Sequence, residues 1–169
     1  HAHAIRAAAA GHIGDHAAIE EVDTALRKGR MDTVEALDAA VECLVAFARV
    51  GALQRARAVE EDLIEPERCD EASTLAAAHR LRARAACAFF REDLSASVAL
   101  GLEAAELYRA SAAPRRACAQ DAQIAHASIQ LGDLPTAREV LRRSMGITRE
   151  LGFQHVEASL VMLLGNIEG

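Results

Sequence analysis

The sequence predicts an all-α solenoid in which antiparallel helix pairs stack in chain order, and three observations carry this prediction. A similar stretch recurs about every forty residues, beginning at Gly11, Gly51, Glu92 and Gly132. A fixed period of this length is typical of proteins built from stacked repeats. Apolar residues make up 51% of the 169 residues, and many are Ala, the best helix former. The sequence lacks the runs of Val, Ile, Thr and aromatic residues that indicate strands.

Helical spacing of apolar residues and the turn residues between them divide the chain into about nine helices. The predicted helices cover approximately residues 1–10, 15–28, 32–50, 52–64, 72–90, 94–110, 115–131, 134–151 and 154–166. The apolar positions expected to be buried in the second and fourth helices are Ile19, Val22, Leu26, Leu53, Ala56, Val59 and Leu63.

Cap residues justify several of these boundaries. Residues 11–14 form the first predicted turn, after which Asp15 can cap the second helix. Asp32, followed three residues later by Glu35, is close to a capping box at the start of the third helix. Gly29 is expected to end the second helix in the left-handed conformation, and Gly152 is expected to cap the eighth.

Glycine–aspartate turns between long helices indicate αα-hairpins, each of which leaves an apolar face that a neighbouring hairpin must cover. We therefore predict a single helical repeat domain over residues 1–169. Its repeat units cover approximately 1–30, 31–67, 68–112, 113–153 and, in part, 154–169. Because the chain opens within a helix and closes with an unpaired one, we expect a fragment of a longer protein; the alternative is that the last helix is a natural terminal cap.

Charge and composition exclude several classes of partner. The net charge of −6 argues against nucleic acid as a partner of this segment. No apolar run approaches the ~18 residues that span a bilayer, so no membrane is expected. The large excess of Arg over Lys suggests a GC-rich, bacterial genome.

The four cysteines are far apart and form no C-x-x-C pair, which argues against a disulfide or a metal site. They are Cys43, Cys69, Cys87 and Cys118. Those in Ala-rich helices are expected to be small buried hydrophobes, and reduced cysteines are typical of the cytoplasm.

Motifs for catalysis are missing from the sequence. It contains no glycine-rich phosphate loop, nucleophile elbow or paired catalytic carboxylates. His12 and His16 lie four residues apart, but no third metal ligand lies near them in the sequence. We therefore predict no catalytic residue, no cofactor and no metal, and we expect that the protein is not an enzyme.

The repeated pattern resembles the tetratricopeptide repeat family, and the seventh and eighth helices carry it best. Ile124-Ala125 supplies a large–small pair, Gly132 supplies the turn, and Leu164-Gly165 repeats the pair forty residues on. Small or apolar residues occupy the matching positions elsewhere in the repeats. In the eighth helix they are Ala137, Leu141 and Ser144, and in the preceding unit they are Ala85, Ser97 and Ala104. Glu92 replaces the turn glycine, and His16 stands where Ala is expected.

The resemblance implies a right-handed superhelix that binds protein or peptide ligands. The period exceeds the family's usual ~34 residues, and longer repeats of this kind resemble the repeat regions of large bacterial signalling proteins. Among these are ATP-dependent transcription activators of the maltose-regulator type and multidomain Ser/Thr kinases.

The resemblance also implies that the first helix of each pair lines a concave face. The candidate binding residues on that face are Glu42, Arg49, His79, Arg82, Phe89, Gln123, His126, Gln130 and Asn166. The same register places Asp38, Val41, Val45, Ala86, Phe90 and Met162 there. This mixture of Arg, His, Gln and Phe would suit an extended peptide or a helix. The alternative is that these residues merely face solvent, with one of the two adjacent Phe rings in the core.

Two functions are consistent with this interpretation. The first is a non-catalytic protein-interaction module that serves a larger signalling or transcription-regulatory protein. The alternative is a helical repeat domain that senses a small molecule and controls oligomerisation. A homodimer is possible in either case, because an unpaired terminal helix exposes an apolar edge.

Overall fold

Nine α-helices form most of the computed structural model, which describes residues 2–29, 33–64 and 73–168. The helices are α1 (Ala2–Ile13), α2 (His16–Lys28), α3 (Val34–Arg49), α4 (Leu53–Val59), α5 (Thr74–Phe90), α6 (Leu94–Ala110), α7 (Pro114–Leu131), α8 (Leu134–Leu151) and α9 (Gln154–Glu168). A π-helical turn, Glu60–Ile64, continues α4. These three ranges contain no strand. The prediction of an all-α helical repeat fold is therefore confirmed.

The helices belong to two units, His1–Ala83 and Arg84–Gly169, whose boundary falls within α5. In the first unit, α1 packs on α2 and α3, α2 packs on α3, and α3 packs on α4. In the second unit, α6 packs on α7, α7 packs on α8 and α9, and α8 packs on α9. In each unit the first helix of one pair contacts the first helix of the next pair, as stacked repeats do when they bury a continuous core.

A residue in the left-handed conformation closes every helix-to-helix turn of the second unit. These residues follow one another at intervals of twenty: Glu92 (φ 64°), Ala112 (φ 52°), Gly132 (φ 78°) and Gly152 (φ 71°). In each case the next backbone N–H donates to the carbonyl five residues earlier, with an N···O distance of 2.9 Å. This bond satisfies a carbonyl that the end of the helix would otherwise leave without a partner.

The first turn differs from the prediction. Gly11 is buried inside α1, and Gly14 is the left-handed residue, with φ 72°. A Cβ on Gly11 would lie 2.7 Å from the Cβ of Ala46 on α3. Gly11 is therefore required by close packing of two helices, and the left-handed turns at Gly14 and Gly51 are 37 residues apart rather than 40.

Aspartate caps recur after the left-handed residues. The carboxylates of Asp15, Asp93 and Asp133 each accept a hydrogen bond from the backbone N–H three residues on. The predicted cap at Asp15 is confirmed. The N-cap of α3 is Thr33, whose hydroxyl accepts from the N–H of residue 36 at 3.2 Å; Asp32 lies outside the described residues. Gly29 has extended backbone (φ −85°, ψ −178°), so its predicted left-handed conformation is wrong. Gly152 caps α8, as predicted, and its backbone is left-handed.

Small side chains dominate the core. Among the residues predicted to be buried, those of α2 are buried, as are Ala56, Val59 and Leu63. Leu53 is 52% exposed because it is the first residue of α4, so its prediction was wrong. Close helix contact recurs in the second unit, where a Cβ on Gly101 of α6 would lie 2.9 Å from the side chain of Ile124 on α7.

The described cysteines are buried free thiols, as predicted; Cys69 lies outside the described residues. Burial, together with the charge of Asp23, raises the pKa of Cys43 to about 12, against a smaller opposing effect of Arg27. Burial is also the largest cause of the raised pKa of Cys118. These thiols therefore remain protonated in the folded protein at neutral pH.

We expect Gly11→Ala to destabilise the protein, because the added Cβ would collide with Ala46 of α3. The expected loss is about 1–2 kcal/mol of unfolding free energy, measured by urea denaturation. The matched control is Gly146→Ala on α8, where no heavy atom of the described residues lies within 4 Å of an ideal Cβ, apart from chain neighbours and the nearby backbone of the helix itself. This control should gain up to about 1 kcal/mol from helix propensity. Effects of the same sign would show that α1 does not approach α3 so closely.

Cys43 should make the stability of the protein fall at alkaline pH. The folded pKa lies above that of an unfolded thiol, so the stabilisation is complete below pH ~9 and is lost as the pH rises towards 12. Between pH 9 and 10.5, the wild type should lose up to about 1.4 kcal/mol per pH unit more than Cys43→Ala. Parallel pH profiles for the two proteins would contradict the burial of this thiol.

Candidate interaction surfaces

A network of charged and polar side chains joins α3 to α5 in the first unit. Arg82 donates a hydrogen bond to Glu42, with an N···O distance of 2.8 Å, and its other terminal nitrogen lies 3.9 Å from Asp38. The Nδ1 atom of His79 lies 3.5 Å from Oδ1 of Asp38. The candidate residues Glu42, His79 and Arg82 are therefore brought together, and each is engaged by a side chain of the other helix.

The burial of this network corrects part of the predicted binding face. His79 is 1% exposed, and Asp38 and Val41 are also buried. A buried imidazole beside a buried carboxylate stabilises contact between helices and is not accessible to a docking protein. Glu42 and Arg82 are half-buried, so a ligand that contacted their charges would compete with an existing ion pair.

Arg49 remains at the surface of the first unit, as the sequence predicts. It is exposed, and one terminal guanidinium nitrogen lies 3.0 Å from Nε2 of His12, on the neighbouring α1. This contact places two polar side chains from successive first helices side by side.

Three of the predicted residues form an exposed stripe on α7 in the second unit. Gln123, His126 and Gln130 are separated by three and four residues, which places them on one helix face, and all three are exposed. The amide nitrogen of Gln130 lies 3.1 Å from Nε2 of His126. The ring of Phe89, on α5, lies 5.2 Å from the His126 ring, centroid to centroid.

The two adjacent Phe rings extend this stripe. Phe90 contacts Phe89 edge to face, at a centroid distance of 5.5 Å. Both rings are half-buried, so neither is wholly in the core nor wholly in solvent. We call Phe89, Phe90, Gln123, His126 and Gln130 the aromatic–amide patch. The remaining candidate, Asn166, is exposed on α9.

Sequence reasoning missed the most buried charged group of the second unit. The carboxylate of Asp121 on α7 is 0% exposed and accepts hydrogen bonds from Ser144 and Arg143 of α8 and from Arg109 of α6. The corresponding distances are 2.5 Å, 3.0 Å and 2.5 Å. This carboxylate therefore ties three successive helices together. The signal available in the sequence was an acidic residue in the middle of the Ala-rich face of a helix.

Among residues 2–29, 33–64 and 73–168, no three His, Cys, Asp or Glu side chains are grouped so that they could hold a metal ion. None of the helices described is both long enough and apolar enough to cross a membrane.

Comparisons with protein-family models, curated proteins and solved structures each found no match to this chain. The aromatic–amide patch is the exposed surface on which the largest number of predicted residues meet.

We expect Asp121→Ala to cost about 2–3 kcal/mol of unfolding free energy, because it leaves Arg109 and Arg143 without their shared carboxylate. This is less than the full cost of breaking a buried ion pair, since both guanidinium groups are partly solvated. The control is Glu106→Gln, which removes an exposed partner of the same Arg residues and should change stability by less than about 0.5 kcal/mol. Equal losses in urea denaturation would argue against a structural role of the buried carboxylate.

Proposed function

We propose that this chain is a non-catalytic helical repeat module that binds a protein or peptide segment through the aromatic–amide patch. The observation that carries the proposal is that Gln123, His126 and Gln130 are all exposed on one face of α7, whereas Glu42, which corresponds to Gln123 in the first unit, is held in an ion pair with Arg82. The tetratricopeptide-like pattern supports it, since such repeats bind through their first helices. As that resemblance implies, the module would serve a larger bacterial signalling or transcription-regulatory protein.

The composition of the patch suits a peptide ligand. Phe89 and Phe90 offer partly exposed rings that their mutual contact already orders, so little conformational entropy is lost when a ligand covers them. The amides of Gln123 and Gln130 can each donate to and accept from a peptide backbone. Aromatic anchors beside polar groups are typical of the residues that dominate binding energy at interfaces.

The charge of the patch predicts which forces dominate binding. Four of its five residues carry no ionisable group, and His126 is the fifth. Apolar burial and hydrogen bonding should therefore supply most of the affinity. Binding at pH 7.5 should depend only weakly on salt, unlike binding through the exposed Arg residues of this chain.

Peptide selection tests this proposal. Peptides selected from a random library on the immobilised chain should bind wild type at least about tenfold more tightly than His126→Asp or Gln123→Arg. Both substitutions lie at exposed positions, so the fold should be retained, which circular dichroism would check. The matched control, Glu139→Arg on α8, is also exposed and lies outside the patch. Selected peptides that bind all four proteins equally, or a selection without enrichment, would refute the proposed function.

A further inference from the structure

The aromatic–amide patch lies between two groups of charged side chains of opposite sign. The first group is Arg115 and Arg116, in the first turn of α7. Arg116 lies seven residues, or about two helical turns, before Gln123. Arg115 lies eleven residues, or about three turns, before His126. Both arginines are therefore on the helix face that carries the patch, and we call them its basic end.

The second group lies where α5 and α7 end. Glu92, Asp93 and Asp133 follow the last patch residue of their helix by two or three positions, and all three are exposed. Arg91, which is also exposed, offsets one of these three negative charges. We call the three acidic residues the acidic end of the patch.

The other charged side chains near the basic end neutralise one another. Glu106 accepts a hydrogen bond from Arg109 and lies 3.8 Å from a terminal nitrogen of Arg143. Both arginines also donate to the buried carboxylate of Asp121. Two acids and two bases thus form one network without net charge. The difference in charge between the two ends of the patch therefore comes from the two groups defined above.

Helix stability does not explain where these charges lie. The N-terminus of a helix is partially positive, so the two arginines in the first turn of α7 are unfavourably placed. None of the other helices described has two basic residues in its first turn. Glu92 follows the partially negative C-terminus of α5 and is left-handed, with φ 64°, where the next repeat has Gly132. Residues that oppose local stability are expected at functional sites.

The two ends are close enough for one short segment to contact both. Arg115 and Asp133 are eighteen residues apart, which is about 27 Å along α7 at 1.5 Å per residue. An extended chain of about eight residues covers this length. The middle of such a segment would lie over the aromatic–amide patch.

We propose that the segment bound by the aromatic–amide patch is dipolar, with acidic residues facing the basic end, basic residues facing the acidic end and apolar residues between them. The dipolar partner is a more specific form of the proposed function, on which it rests. The patch supplies most of the affinity, whereas charges at the rim of an interface mainly determine orientation and association rate. A segment bound in the opposite direction would bring like charges together at both ends.

Two peptides of identical composition test the proposal. A peptide is first selected on the immobilised chain from a library of eight-residue sequences without charged side chains, so that the patch alone determines its direction. It is resynthesised with two Asp residues at one terminus and two Arg residues at the other, and again with these pairs exchanged. In titrations of the complete 169-residue chain at low salt, the two affinities should differ at least about fivefold. The ratio should shrink at high salt, which screens exposed charges.

A charge exchange in the chain identifies the residues responsible. Arg115→Glu combined with Glu92→Arg leaves neither end with a net charge, so the two peptides should bind this variant equally. It should also unfold at a higher urea concentration than wild type, because both substitutions then suit the helix dipoles. The matched control combines Arg142→Glu with Glu139→Arg, at two exposed positions of α8, and should keep the wild-type ratio.

The possible results distinguish the dipolar partner from the proposed function itself. If no uncharged peptide is selected, or if His126→Asp leaves its affinity unchanged, the proposed function fails and the dipolar partner fails with it. If the uncharged peptide binds through the patch but its two charged forms bind wild type equally, only the dipolar partner is wrong. A ratio that persists in the variant with Arg115→Glu and Glu92→Arg would also overturn it, because other charges would then set the direction.

Discussion

The hydrogen bond across each left-handed turn is the interaction on which the rest of this fold depends. In the second unit it forms four times with the same N···O distance, and in the first unit the turns at Gly14 and Gly51 contain it as well. The bond ends one helix and reverses the direction of the chain within two residues. The next helix therefore lies antiparallel to the one before it. Only after that reversal can side chains as small as Ala125 and Ala137 meet closely enough to form a core that has few aromatic residues.

Helix identity could be predicted from the sequence because each helix carries its own apolar periodicity and most turns carry Gly or Asp. From α5 to α9 the predicted boundaries lie within about two residues of the observed ones. The first turn could not be placed, because Gly11 and Gly14 both suit a turn. The decision between them depends on the approach of Ala46, a contact across 35 residues of sequence. Nor does a local signal mark Ala112 as left-handed, since the backbone there follows the turn geometry and not the preference of the side chain.

The exposure of a candidate residue could be predicted from the sequence only where the periodicity of its own helix determines which side chains face solvent. The α7 stripe of Gln123, His126 and Gln130 follows from helical spacing. His79 occupies a similar position in its own repeat but is buried, because Asp38 on another helix lies beside it. Asp121 pairs with Arg143 across 22 residues, and its position on an Ala-rich helix face, although a signal of burial, does not identify that partner. The part of the site that could not be predicted thus consists of contacts between helices, because the apolar periodicity of one helix carries no information about its neighbours.

The length of the helices has a consequence for how such a chain can change. α7 and α8 each contain 18 residues, which at 3.6 residues per turn is five complete turns. When a helix has a whole number of turns, the chain reaches its first residue and continues from its last residue on the same side of the helix axis. Consecutive helices can then pack against one another in one stack. One extra residue in such a helix rotates its exit by about 100°, and the connection must then compensate, as it does for α5 and α6, which contain 17 residues each. We therefore expect genes for such chains to lengthen and shorten by blocks of about forty codons, with single-codon changes confined to the connections between helices.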